Sequence, residues 1–495
     1  MNNVYMSKSK YCRAVQCEKI LWLDKYKKEV AIAPDNTAVL ETGTEVGILA
    51  RELFGKYTNI EYNEDLTVML EATKKALEEK NTVITEASFE FNHNFCSVDI
   101  LKTTENGVEI YEVKSSTDIH EIYLDDVSYQ YYILTSLGYN VEKASIVYLN
   151  REYVRNGELE LNKLFNIEDV TDIAEVKQEE IKEKLEAINI YLNEHNEENE
   201  PEQDIGMYCS NPYDCVYWNY CTRNLPKNNI FKIRRMHKDK KFEYYYEGKA
   251  SMEDIQYEDI NPKYLEQIDF ELNAREDKIE KEKIKEFLET LSYPIYFLDF
   301  ETYQQAIPQY DGIKPYMQIP FQYSLHYIEA EGAELKHKEF LAIAGADPRR
   351  KLAERLIADI PINSCVIAYN MGFEKSVIKN LAEIYPDLSE HLLNIRENIK
   401  DLMIPFSQRM YYNKAMEGSY SIKYVLPALY PNEKEFDYHN LPVVHNGAEA
   451  SESFLSLTKL SKEEQEKVRN GLLVYCKLDT YAMVKVWEKL KEIIR

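Results

Sequence analysis

The sequence predicts a mixed α/β protein of more than one domain, and three observations lead there. Its 495 residues exceed one ordinary core and suggest two or three domains. From residue 293 onward, strand-like and helix-like patterns alternate, as in a sheet layered with helices. In the first half, three strand-like runs follow helical ones, and Asn106-Gly107 supplies the hairpin turn between the last two.

Composition narrows the function classes. Lys and Arg number 60 against 86 Asp and Glu, a net charge of -26. A surface of that sign repels nucleic acid in general, so any such contact has to run through local basic patches and metal-screened carboxylates. No apolar leader and no long apolar run is present, so neither secretion nor membrane insertion is expected, and the chain is expected in the cytoplasm. Of eight cysteines, Cys12, Cys96, Cys365 and Cys476 fall in ordinary-looking strands and helices. Cys209, Cys215 and Cys221 are separated by five residues each, a pattern that in a reducing compartment reads as metal or iron-sulfur ligation.

In chain order, apolar residues recur at helical spacing over 43–54 and 64–80. Strands are expected near 82–91, 94–102 and 108–115. Glu112 and Lys114, two apart on the third strand, share a face, and the antiparallel neighbour brings Asp99 alongside. Two carboxylates can hold Mg²⁺ or Mn²⁺, and an adjacent ammonium can position water or stabilise charge on a phosphate. Glu-x-Lys is also the everyday pattern of a surface ion pair. A helix with Gln130, opening Asp125-Asp126-Val127, follows.

Residues 1–222 resemble the PD-(D/E)XK nucleases of the RecB-like branch, which includes the iron-sulfur nucleases of CRISPR adaptation. The likeness rests on Cys17 with Lys19 and Trp22, then Asp99, Glu112 and Lys114, then Gln130, then Cys209, Cys215 and Cys221. It implies catalysis by Asp99, Glu112, Lys114 and Gln130, with Asp99 and Glu112 as metal ligands. It also implies a [4Fe-4S] cluster on Cys17, Cys209, Cys215 and Cys221 that clamps the two ends of the domain. Zinc is the alternative occupant of the four cysteines, and Cys12 is the alternative to Cys17. The sequence departs from the pattern in having no histidine on the early helix, where Glu45 is the nearest metal-binding type, and no tyrosine four residues after Gln130.

From 167 to 200 the chain is acidic, with Leu185, Ile188 and Leu192 on one helical face, which reads as a solvated amphipathic helix. Residues 223–292 read as a helical connector. It opens with Lys227, Lys232, Arg234, Arg235, Lys238, Lys240 and Lys241, interleaved with Phe231, Phe242 and tyrosines. Such a run can track a phosphate backbone and stack bases, or serve as a solvated linker.

In the second half, strands are expected at 295–300, 320–328, 337–342 and 364–369, and helices at 350–358, 373–384, 418–429 and 462–492, compatible with a ribonuclease-H-like core and a mixed sheet. Asp299 and Glu301, at i and i+2 of an apolar strand, point the same way. Two such acids repel and cost desolvation, which a divalent cation between them offsets. The loop at 303–319 is expected over these carboxylates. Asn370 and Glu374 are expected to share a helix face, and Tyr475 and Asp479 have the same four-residue spacing on a terminal helix.

This series over 293–495 resembles the three motifs of the DnaQ-like 3'-5' exonucleases, in the subclass with a tyrosine in the third motif. The likeness implies that Asp299, Glu301, Glu374 and Asp479 ligate or support two divalent ions and that Tyr475 orients the attacking water. Glu374 stands where the pattern usually has aspartate, and Asp401 resembles a structural aspartate of the same fold. The combination of halves resembles a family of uncharacterised bacterial proteins that fuse these two nuclease-like domains. The expected function is metal-dependent hydrolysis of DNA or RNA that is single-stranded or has free ends, with 3'-5' exonuclease action at the C-terminal head. A nucleic-acid-binding or scaffold protein with degenerate sites is the alternative.

Overall fold

The computed structural model describes residues 5–32, 37–256, 260–433, 436 and 440–495. They form two compact α/β units, one of residues 1–225 with 305–316, the other of 226–304 with 317–495. The segment expected as a separate connector is thus part of the second unit from residue 226.

The first unit is a mixed sheet between helices. Its strands are β1 (Met6–Ser7), β2 (Thr58–Asn59), β3 (Val83–Phe91), β4 (Asn94–Thr103), β5 (Val108–Lys114), β6 (Val141–Leu149) and β7 (Phe165–Asp169). Their order is β2-β3-β4-β5-β6-β7, with β1 parallel to the start of β4. Side-chain alternation divides the sheet into two apolar faces. Leu101, Ile110 and Ile146 pack on the helices Lys8–Gln16 and Glu121–Ser136, while Ile100, Tyr111 and Val147 pack on Val46 and Ala50 of the helix Thr37–Arg51.

Residues 305–316, the middle of the loop expected over the strand carboxylates, belong to the first unit. Ala306, Ile307 and Tyr316 pack into the second of these clusters, and Arg155 fixes the segment through its N–H to Ile313 O (3.1 Å) and its guanidinium to Pro308 O (2.8 Å). Three apolar side chains in so short a segment need a core of their own to enter.

The second unit carries β8 (Lys278–Ile279), β9 (Ile295–Tyr303), β10 (Ile319–Ile328), β11 (Lys336–Leu341), β12 (Cys365–Ala368), β13 (Ile399–Asp401) and β14 (Tyr411–Tyr412). Five of them form a mixed sheet, β11-β10-β9-β12-β13, antiparallel across β11, β10 and β9 and parallel across β9, β12 and β13. On central β9, Tyr296, Leu298 and Phe300 pack towards the helices Arg349–Asp359 and Gly372–Ile384. Ile295 and Phe297 pack towards the helix Lys462–Ile494, which a Ser461–Glu464 capping box starts. The next two residues on that second face are Asp299 and Glu301.

The two phenylalanines of the basic run, which can stack bases or serve a linker, pack inward. Phe242 is 2% exposed, and Phe231 packs edge-on against it beside a core of Ile230, Ile233, Met252 and Ile268. Among the described residues, no helix is long and apolar enough to cross a membrane.

Candidate functional site

The second unit gathers its acids where β9 meets the C-terminal helix. One ligand atom each of Asp299, Glu301 and Cys476 lies within 4.8 Å of the others, the one such group of three among the described residues. Cys476 is fully buried, with Sγ 3.9 Å from Asp299 Oδ2. One turn on, Asp479 lines a cavity of about 460 Å³ together with Asp299, Asn370, Tyr369, Tyr420 and Arg235. Tyr475 is buried beside them. Sequence reading assigned Cys476 to an ordinary helix; its place directly after Tyr475 was the available signal.

The electrostatics are those of a site short of positive charge. Burial, then Asp479, Glu301 and Glu374, push the Asp299 carboxyl well above the usual range. Burial and Asp479 do the same to Glu301, against the pull of Lys423. Burial raises Glu374 to about 8, with Asp401 adding to it, and its buried Oε2 has no hydrogen-bond partner. An unpaired, desolvated carboxylate oxygen is costly in a native fold, and a cation removes that cost. The donors are mainly hard oxygens, which suit Mg²⁺ or Mn²⁺. Burial and Asp299 raise the Cys476 thiol while no ion is bound.

Asn370 and Glu374 do not share a helix face as expected. Asn370 has a φ of +66° and precedes the helix Gly372–Ile384, with Glu374 in its first turn. Asparagine tolerates this left-handed backbone. Asp401 holds the bend by accepting from the N–H groups of Asn370 (2.9 Å), Met371 (3.3 Å) and Met403 (2.9 Å), a structural task.

The first unit brings Asp99, Glu112, Lys114 and Gln130 together on the face covered by the helix Glu121–Ser136. The β4/β5 ladder stops at Ile100–Tyr111, and Asp99 uses its carboxylate to accept the freed N–H of Val113 (2.7 Å). Glu112 is buried and its oxygens are fully engaged. Lys8 donates to both (2.9 and 3.0 Å), Lys114 to Oε1 (2.7 Å) and Gln130 to Oε2 (2.7 Å). Asp126 joins through Lys114 (2.5 Å) and Lys8 (3.3 Å). Burial works against charge on Glu112, but Lys114 and Lys8 outweigh it and hold the carboxyl below its usual range. Burial and Glu112 push Asp99 up to about 7. Sequence reading missed both Lys8 and Asp126. Asp126, four residues before Gln130 on one helix, was findable by spacing; Lys8, 104 residues from Glu112, carried no signal.

The four cysteines at the ends of the first unit converge. Cys17, Cys215 and Cys221 share an apolar cluster with Trp22 and Tyr217, and the Cys215 N–H donates to Cys209 O (2.9 Å). Burial raises the Cys17 thiol to about 11 and Cys209 to about 12, with the other cysteines of the group adding to both. Cys12 instead neighbours Asp126, Lys114 and Lys8, so Cys17 is the fourth member of the group. Zinc and an iron-sulfur cluster are both bound by cysteine thiolates, so the four residues fit either occupant.

Comparison with known proteins adds one match. Residues 296–421 match a family described only as a domain of unknown function (DUF2779). The match covers β9, the Asn370 bend and Glu374, and stops short of Tyr475 and Asp479. No curated protein and no solved structure matches the chain.

Proposed function

We propose that this chain is a metal-dependent nuclease that hydrolyses phosphodiester bonds of DNA or RNA, with two nuclease-like heads fused as in the bacterial family it resembles. The observation that carries this reading is the group Asp299, Glu301 and Cys476, within 4.8 Å of one another on β9 and the helix facing it. Mg²⁺ or Mn²⁺ bound there supplies an activated water and stabilises the leaving oxygen. Asp299, Glu301 and Asp479 would hold the ions, and Glu374 would support them with its unpaired oxygen. Tyr475, its hydroxyl kept protonated by burial and by the acids around it, would orient the water in 3'-5' exonuclease action. In the first unit, Cys17, Cys209, Cys215 and Cys221 would hold a [4Fe-4S] cluster that clamps the two ends of that domain.

One observation favours a second reading for the first unit alone. Lys8 takes up the Glu112 oxygens that a metal would need, which suits a head that binds nucleic acid without cutting it.

End-labelled DNA and RNA, incubated with anaerobically purified protein and Mn²⁺, test both readings. Cleavage is expected, with Asp299→Ala abolishing stepwise loss of 3'-terminal nucleotides. If neither Asp299→Ala nor Lys114→Ala lowers cleavage, the assignment of the sites falls. Cleavage that depends on Asp299 and ignores Lys114 supports the second reading.

A further inference from the structure

The cavity beside Asp299 contains one cation that the nuclease resemblance does not supply. Arg235 comes from the segment before residue 293, outside the matched family and outside the stretch that carries the exonuclease likeness. Its guanidinium lies against the ring of Tyr420 and lines the cavity with Asp299 and Asp479. Among the described residues, Arg235 makes no ion pair. Burial, and then the like-charged Arg409, make the cation harder to keep.

The backbone is built to place it there. Arg235 has a φ of +63°, a left-handed conformation that an arginine rarely adopts. Neighbouring groups hold the bend in place. The Tyr264 hydroxyl donates to Arg235 O (3.0 Å), and the Arg234 N–H donates to Gln267 Oε1 (2.9 Å). Gln267 is buried and in turn donates to Lys232 O (3.0 Å) and Glu417 O (3.2 Å). The next residue, Gly418, has a φ of +75°, and a Cβ there would overlap the Gln267 amide. One glutamine thus ties the Arg235 bend to the turn that leads into Tyr420.

A guanidinium held by stacking, unpaired, at the rim of an acidic cavity of ligand size is arranged to receive an anion. A cation held by the carboxylates and a guanidinium in the same cavity can share the oxygens of one phosphodiester.

We propose that Arg235 is the phosphate-binding residue of this cavity, so that the second unit takes the terminal nucleotide of a nucleic acid chain with that nucleotide's phosphate on the guanidinium. The proposal rests on the nuclease reading for its substrate class, but its test does not need turnover. The probes are thymidine 5'-monophosphate, thymidine and a fluorescent single-stranded oligonucleotide, each titrated into the full chain with Ca²⁺ in place of Mn²⁺. Wild type is expected to bind the monophosphate and not the nucleoside. Arg235→Ala is expected to lose tenfold or more in affinity for monophosphate and oligonucleotide, and to lower the salt slope of oligonucleotide binding by about one. Arg235→Gly, which suits the left-handed backbone, should behave the same, separating lost charge from a disturbed bend. Arg235→Lys should recover part of the affinity.

Monophosphate binding within twofold of wild type in both Arg235→Ala and Arg235→Gly overturns the proposal, whether or not the protein cleaves nucleic acid. Binding that depends on Arg235 in a protein that cleaves no nucleic acid upholds the phosphate site and removes the nuclease reading.

Discussion

The Lys8 ammonium sits on the Glu112 carboxylate, 2.9 Å from one oxygen and 3.0 Å from the other, although the two residues are 104 positions apart. A carboxylate has about four acceptor positions, and Lys8, Lys114 and Gln130 use all four. Lys8 is held by its surroundings: β1 pairs with β4 through Met6 and Ser7, and the Tyr129 hydroxyl donates to Met6 O (3.1 Å).

Lys8→Met is therefore expected to free Glu112 for a divalent ion. A charge-assisted hydrogen bond contributes about 1.5–3 kcal/mol, so Mn²⁺ affinity at the first unit should rise about tenfold or more. Electron paramagnetic resonance titration in an Asp299→Ala background reads this without interference from the second unit. Without metal, the same variant should lose about 1–3 kcal/mol of stability in denaturant melts, because Glu112 keeps only two partners. Mn²⁺ should restore it by binding the folded state. Unchanged or weaker Mn²⁺ binding would show that Lys8 supports the metal rather than standing in its place.

Asp299→Asn is expected to split stability from activity in the second unit. Asp299, Glu301 and Asp479 repel one another in a buried setting, so removing one charge should raise metal-free stability by about 1 kcal/mol. The same change should remove Mn²⁺ protection of the fold and cut exonuclease turnover by about 10²–10³-fold. A variant less stable than wild type in chelator would mean that the acids are balanced without a cation.

Much of this site is legible in the sequence because it depends on local periodicity. The strands expected at 82–91, 94–102 and 108–115 are observed at 83–91, 94–103 and 108–114, set by alternating side chains and the Asn106-Gly107 turn. The terminal helix expected at 462–492 runs to Ile494 and delivers Tyr475 and Asp479 one turn apart. What escaped depends on tertiary placement. Lys8 reaches Glu112 only because β1 takes the part of β4 that β5 leaves unpaired. Residues 305–316 look like a lid by position alone, but their apolar side chains belong to a core of the first unit. Asn370 reads as helical by spacing, yet three N–H groups on Asp401 draw it into a left-handed bend.

The convergence of the cysteines predicts the colour of the protein. Four convergent cysteines can hold a [4Fe-4S] cluster, whose iron gives visible absorption that zinc lacks. Anaerobically purified protein is expected to absorb broadly in the visible and to bleach on reduction, and Cys215→Ser should lose both properties. A colourless protein that carries one zinc per chain would overturn the assignment.

Two histidines beside the second site, His326 buried and His337 half-buried, set an acid limit on stability. His326 Nδ1 lies 2.7 Å from Thr480 Oγ1, and Ser324 Oγ lies 2.7 Å from the same oxygen and 2.9 Å from His337 Nε2. Burial, then His337 and Lys477, lower His326 to about 3, and burial and Lys477 lower His337 to about 4. With both pKa values below the unfolded value of about 6.5, the unfolded chain binds more protons over this range, and stability must fall as pH falls. The loss starts near pH 6.5 and continues to about pH 3–4, reaching roughly 2–3 kcal/mol at pH 4.5 for His326 alone. Because Ser324 pairs with Asp299 across β10 and β9, and Thr480 follows Asp479, this acid loosening should reach the metal ligands first. Denaturant melts from pH 7 to 4.5 should show a shallower acid decline for His326→Gln than for wild type, with chelator present in both. Parallel declines would mean that the His326 environment does not resist protonation, and that acid sensitivity arises elsewhere in the chain.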